Sequence, residues 1–151
     1  DFDAFGEHIL HKKPQGEKWP DAEWKKLAEH KRMYRDLPKT KEADTLVSFC
    51  KKFAEEHNLG LYFLTAVPKG NDMHWAFYDK VHWAATHYPD LPVMFGPFSK
   101  DKHVHCTPGD VLIDDRTSNC EEWRREGGLA HEYRNWEDCK NWLEDTLKYK
   151  L

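Results

Sequence analysis

The chain has 151 residues, with 23 Lys and Arg against 27 Asp and Glu, a formal net charge of −4. That length suits one domain able to bury a sizeable core, and the acidic balance excludes the basic footprint of a duplex nucleic-acid binder. Aromatic residues at 14%, with seven Trp, exclude a disordered chain. No stretch reads as a membrane span or a secretory signal. Cys50, Cys106, Cys120 and Cys139 are scattered without a CxxC pair, which points to free thiols in a reducing, cytoplasmic setting.

The chain opens on Asp1, with no Met and no strand ahead of it, so residues upstream are expected. Phe5 to Leu10 is a short apolar run without a clear period, and Pro14-Gln15-Gly16 is a turn. Pro20-Asp21 opens a polar helix to about Tyr34, with Trp24, Leu27, Ala28 and Met33 on its apolar side. Leu37-Pro38 ends it. Lys41 to His57 is the clearest amphipathic helix: Ala43, Leu46, Val47, Cys50, Phe53 and Ala54 recur on one face, and Asn58-Leu59-Gly60 caps it.

Leu61 to Leu64 is a continuous apolar run, expected as a buried strand that delivers Thr65-Ala66 at its carboxyl end. Asp72 to about His87 predicts a helix with Ala76, Phe77, Val81, Ala84 and Ala85 inward. Val93-Met94-Phe95 is a strand, and Ser99 to Cys106 a connector carrying two lysines. Asp110 to Ile113 predicts a strand, Glu121 to Arg125 a helix, Leu129 to Tyr133 a last strand, and Trp136 to Tyr149 a terminal helix. Strands alternating with helices make this an α/β fold with a mainly parallel sheet.

Gly109-Asp110-Val111-Leu112-Ile113-Asp114-Asp115-Arg116 places two adjacent carboxylates where a short strand ends, the place at which α/β sheets bind ligands. Side-by-side carboxylates repel unless a cation or proton is shared, and Mg²⁺ favours one or two carboxylates with phosphate oxygens. The plainer alternative is an Asp-rich turn that caps the next helix. Thr65, then Lys100 and Lys102, then Asp114 and Asp115 follow in order at strand ends or connectors. Hydroxyl, ammonium and metal carboxylates are the parts that phosphoryl transfer uses for positioning and charge neutralisation. His103-x-His105-Cys106 lacks the second ligand pair of a zinc site and reads as polar connector. His74, His82 and His87 read as solvated surface, and Cys120 as a packing residue.

Phe63-Leu64-Thr65-Ala66, Ser99-Lys100-Asp101-Lys102 and Gly109 to Asp115 together resemble the second, third and fourth motifs of the haloacid-dehalogenase-like phosphatases. Within that superfamily the chain is most similar to the 5′(3′)-deoxyribonucleotidases, over about Tyr34 to Tyr133. The resemblance implies a Rossmannoid three-layer sandwich, with a core over 36–151 and a small helical cap over 1–35. It implies Mg²⁺-dependent hydrolysis of (deoxy)ribonucleoside monophosphates through an aspartyl-phosphate. Residue by residue, Thr65 resembles the phosphate-binding hydroxyl, Lys102 the phosphate-steadying lysine, and Asp114 and Asp115 the magnesium carboxylates, without deciding which touches the ion. Lys100 matches a basic position without a catalytic role, and Asp110 a loop buttress.

Phe2 matches a phenylalanine of the nucleobase pocket, and Thr65, Ala66, Lys102 and Trp24 complete the expected substrate contacts, with Trp19 an alternative wall to Trp24. Packing between cap and core is the plainer reading of both tryptophans. Asp1-Phe2-Asp3 resembles the stretch just after the nucleophile motif, so the nucleophilic Asp is expected upstream of Asp1 on a missing first strand. Without that central strand the sheet would carry an unpaired edge and lose stability. The alternative is a catalytically inactive domain of the same fold, a binding or structural module, with a homodimer or partner chain open as the means of completing it.

Overall fold

The computed structural model describes residues 20–30, 32–69 and 73–148. Expectations for Asp1 to Gly16, including Phe2, and for Trp19 and Tyr149 therefore lie outside the described residues. The chain divides into two compact units, one from Asp1–Thr40 with Val67–Val93, the other from Lys41–Ala66 with Met94–Leu151.

The first unit is built from α1 (Asp21–Glu29), α2 (Met33–Asp36) and α4 (Ala76–His87), with α3 (Ala43–Glu56) belonging to the second unit. The polar helix expected to reach Tyr34 is two helices, because His30 leaves the helical region at ψ 88°. Leu27, Met33, Tyr34 and Ala76 form the unit's core, and Trp24, Leu37, Val67 and Met73 pack around it. The inward face of α4 corrects the expected one. Ala76, Asp79 and Ala84 are buried, whereas Phe77, Val81 and Ala85 are exposed. The cause is electrostatic: Arg32 Nε donates to Asp79 Oδ1 at 2.7 Å and draws that carboxylate to 1% exposure. A buried carboxylate needs such a partner, and its pull sets the helix rotation that apolar periodicity alone misses.

The second unit contains α3 (Ala43–Glu56), β1 (Phe63–Thr65), most of β2 (Val93–Phe95), a 3₁₀ helix (Ser99–His105), β3 (Val111–Asp114), α5 (Thr117–Arg125), β4 (Leu129–Glu132) and α6 (Trp136–Lys148). β3 and β4 pair in parallel, Val111 with Leu129 through Asp114 with Glu132. Their alternating side chains divide two cores. Leu112 and Ala130 pack with Cys120 and Trp123 of α5, joined by Leu64 of β1 and Cys106. Val111, Ile113 and Leu129 turn the other way, onto Cys139, Leu143 and Leu147 of α6 and Leu46, Phe49 and Phe53 of α3. Helices therefore pack on both faces of this parallel pair, in a mixed α/β unit. Burying Leu112, Leu143 and Leu147, the buried leucines of these two cores, contributes roughly 1.5–3 kcal/mol each.

β1 pairs with β2, so the described strands form two two-stranded sheets rather than one. β1 is shorter than the apolar run and half-buried, with Tyr62 exposed and Thr65 inside the strand. Two helix ends close by the same device. Asn58 at φ 54° lets Leu59 N donate to Ala54 O at 2.8 Å after α3, and Gly127 at φ 87° lets Gly128 N donate to Trp123 O at 3.2 Å after α5. A Cβ on Gly128 would stand 2.4 Å from the Trp123 ring, so glycine is required there.

His131 on β4 stacks on Trp142 at 5.1 Å, with its Nε2 buried and without a hydrogen-bond partner among the described residues. Burial, followed by repulsion from Arg124, holds the imidazole below its ordinary range against the opposing pull of Asp138 and Glu132. The unfolded chain then takes up a proton before the folded one does as pH falls. Stability from neutral His131 is present above pH about 6.5 and declines below it. Denaturant midpoints measured from pH 7.5 to 5 should fall for the wild type, and His131→Phe should flatten the fall.

Candidate functional site

Asp114 is the last residue of β3 and lies on the strand's α5-facing side, where the pleat also places Leu112. It is 8% exposed, a costly position for a carboxylate without donors. Four hydrogen bonds reach it. Lys102 Nζ donates to Oδ2 at 2.7 Å, Arg116 N to Oδ1 at 2.9 Å, and Asn119 Nδ2 to both oxygens at 3.2 Å. The Lys102 and Asp114 side chains are 13% and 5% exposed, so their ion pair is largely shielded from water.

Lys102 reaches Asp114 because the 3₁₀ helix is fixed at both ends. Asp101 Oδ2 accepts from Phe98 N at 3.3 Å at its start. At its far end a His105 ring nitrogen donates to Phe95 O at 2.7 Å. The expected connector is thus an ordered helix that delivers the lysine. On the other side α5 begins at Thr117, four residues earlier than the expected Glu121, and so brings its first turn against Asp114. The partial positive charge of that helix end favours the carboxylate. Asp110 performs the expected buttressing, accepting from Thr107 N at 2.9 Å.

Asp115 behaves differently. It is exposed, and lost hydration on its crowded side, followed by the Asp114 charge, raises its carboxyl above the ordinary range. Arg134 reaches its backbone oxygen at 3.5 Å and also pairs with Glu132, which accepts from Thr117 Oγ1 at 2.6 Å. Asp114 has its lone pairs occupied by protein donors, whereas Asp115 carries an ionisation that an added cation would favour. The two carboxylates that sequence could not separate are separated by their surroundings.

Thr65 ends β1 with its carbonyl accepting from Gly96 N at 2.9 Å, Ala66 follows it, and β1 lies against the 3₁₀ helix that carries Lys102. Lys100 is exposed. Trp24 belongs to the first unit, half-buried against its core, and Phe2 lies outside the described residues. His103 pairs with Glu126 at 3.2 Å, away from the His105 contact, and no cluster of three or more His, Cys, Asp or Glu gathers among the described residues. Cys120 is fully buried, and burial, then the Asp114 charge, raises its thiol. It is a packing residue, as expected.

Sequence reading missed Asn119. An Asn in the first turn of a helix looks like ordinary capping; the available signal was its position five residues after Asp114. Neither protein-family models, nor curated proteins, nor solved structures yield a match to this chain.

The two carboxylates should respond oppositely to neutralisation. Asp114→Asn strands the Lys102 charge and should cost about 3 kcal/mol or more. Asp115 has a folded pKa above its unfolded value, so its favourable contribution exists below pH about 4 and is lost as pH rises through the folded value. Asp115→Asn should therefore raise the unfolding midpoint at pH 7 without divalent ions and lose that advantage below pH 4, as read by denaturant melts.

Proposed function

We propose that this chain belongs to a Mg²⁺-dependent phosphomonoesterase of the haloacid-dehalogenase-like kind, nearest the 5′(3′)-deoxyribonucleotidases, acting on (deoxy)ribonucleoside monophosphates. The observation that carries the reading is the shielded Lys102–Asp114 pair at 2.7 Å, at the carboxyl end of a parallel strand and beside Asp115. Segment 1–35 acts as the cap and 36–151 as the core in this reading, and the free thiols fit a cytoplasmic setting. Among the described residues no helix is long and apolar enough to cross a membrane.

Lys102 has three ammonium donors, one of which is used by Asp114. The remaining two hold phosphate oxygens, and the Thr65 hydroxyl takes another. Asp115, exposed beside the Lys102–Asp114 pair, would hold Mg²⁺, which when bound would supply charge neutralisation for the phosphoryl oxygens. One or two carboxylates with phosphate and water suffice for this ion, so the donor set fits without a protein cage. The nucleophilic Asp comes from residues upstream of Asp1, on a strand pairing with the edges of β1 and β3 that are unpaired among the described residues. Its carboxylate displaces the nucleoside alkoxide from phosphorus; a second Asp of that motif gives the alkoxide its proton and then takes one from the water that hydrolyses the aspartyl-phosphate.

The full-length protein, residues upstream of Asp1 included, should release phosphate from dUMP or dTMP only with Mg²⁺. Lys102→Met should lower kcat by roughly 10²–10³, the range for loss of one preorganised charge donor. No release from the full-length wild type would favour a non-catalytic module, with a homodimer or partner chain as its context.

A further inference from the structure

We infer that Asn119 is a positioning residue for Lys102, acting through Asp114, and that Ser99 steadies its amide from the other end. This rests on the phosphatase reading only for its catalytic consequence. Asn119 is 2% exposed and spans both oxygens of Asp114 at 3.2 Å. Its own carbonyl oxygen accepts from Ser99 Oγ at 3.1 Å, and Ser99 Oγ accepts from Arg116 Nη1 at 3.1 Å. The chain of donors therefore runs from Arg116 through Ser99 and Asn119 to Asp114, which also accepts from Lys102.

The direction of this chain matters. An amide can be turned over by half a rotation, exchanging donor for acceptor. Asp114 is an acceptor-only carboxylate, so the Asn119 NH₂ must face it and the Asn119 oxygen is left to face Ser99. Ser99 accepts from Arg116 on one lone pair and gives its proton to that oxygen. With the amide spanning both carboxylate oxygens, the plane of Asp114 is fixed, and with it the acceptor that Lys102 sees. A lysine needs such an anchor: its ammonium rides on four flexible carbons and is strongly hydrated. Ser99 and Lys102 share the 3₁₀ helix, whereas Asn119 lies on α5, so the relay also ties the lysine-bearing helix to the helix that follows the acidic turn.

The test compares acetylation of Lys102 and Lys100 by a limiting N-hydroxysuccinimide ester, read by mass spectrometry on natively folded protein. Exposed Lys100 is the internal reference. In the wild type Lys102 should label slowly relative to Lys100. Asn119→Ala should raise that ratio about fivefold, the factor that the net loss of one hydrogen bond corresponds to. Asn119→Asp, nearly isosteric but presenting an acceptor to Asp114, should raise it further. A space-filling role predicts Asp to behave like Asn, and that result, or an unchanged ratio in folded Asn119→Ala, overturns the inference.

Should Asn119→Ala fail to fold, Ser99→Ala carries the test, with a rise of about twofold expected and no rise overturning it. In the full-length enzyme Asn119→Ala should lower kcat about tenfold while KM moves less than about twofold, and the Ser99→Ala/Asn119→Ala double variant should be no worse than Asn119→Ala. A changed labelling ratio in a protein that hydrolyses no phosphomonoester keeps the relay and removes the phosphatase reading.

Discussion

The arrangement of the second unit depends on one buried ion pair. A carboxylate and an ammonium shielded from water repay their desolvation only with close geometry and with their remaining hydrogen-bonding capacity satisfied. Asp114 meets both conditions: Lys102 lies at 2.7 Å, and Arg116 N and the Asn119 amide occupy what is left. An apolar pair of similar volume would often serve stability as well or better. The charged pair at the carboxyl end of a parallel strand leaves the second and third ammonium protons of Lys102 beyond the Asp114 bond. The same requirement explains the local fold. The 3₁₀ helix must be ordered to deliver Lys102, and α5 must begin at Thr117 to bring its first turn to the carboxylate.

Much of this unit could be read from the sequence where apolar spacing decides the outcome. The stripe on Lys41 to His57 includes Leu46, Cys50 and Phe53, and the structure packs this face on Cys139, Leu143 and Leu147. The capping role of Asn58 was likewise legible, since few other residues adopt positive φ readily. Periodicity failed on α4, where Asp79 rather than Val81 turns inward. Arg32, 47 positions away, supplies the missing term, and a pattern window cannot contain it. The apolar run Leu61 to Leu64 also overstated burial, because Tyr62 remains exposed and the strand pairs on one side only among the described residues.

At the site, residue types were legible and roles were not. Asp114 and Asp115 are the same residue one position apart, and the pleat of β3 sends the first toward Lys102 and Asn119 while the turn leaves the second outside. Sequence carries no term for that difference. Nor does it reveal that Arg116, Ser99 and Asn119 form a single chain of donors across two helices. The two neighbours therefore differ in surroundings: one carboxylate is shielded and holds the Lys102 ammonium, and the other is exposed beside it.

The most direct test is crystallographic. A Mn²⁺ soak of this protein, with data collected for anomalous scattering, locates a metal independently of any assay. The account predicts an anomalous peak within bonding distance of an Asp115 carboxylate oxygen, with the Lys102–Asp114 contact intact. A peak on Asp114 that displaces Lys102, or full Mn²⁺ occupancy elsewhere with none at Asp115, would contradict it.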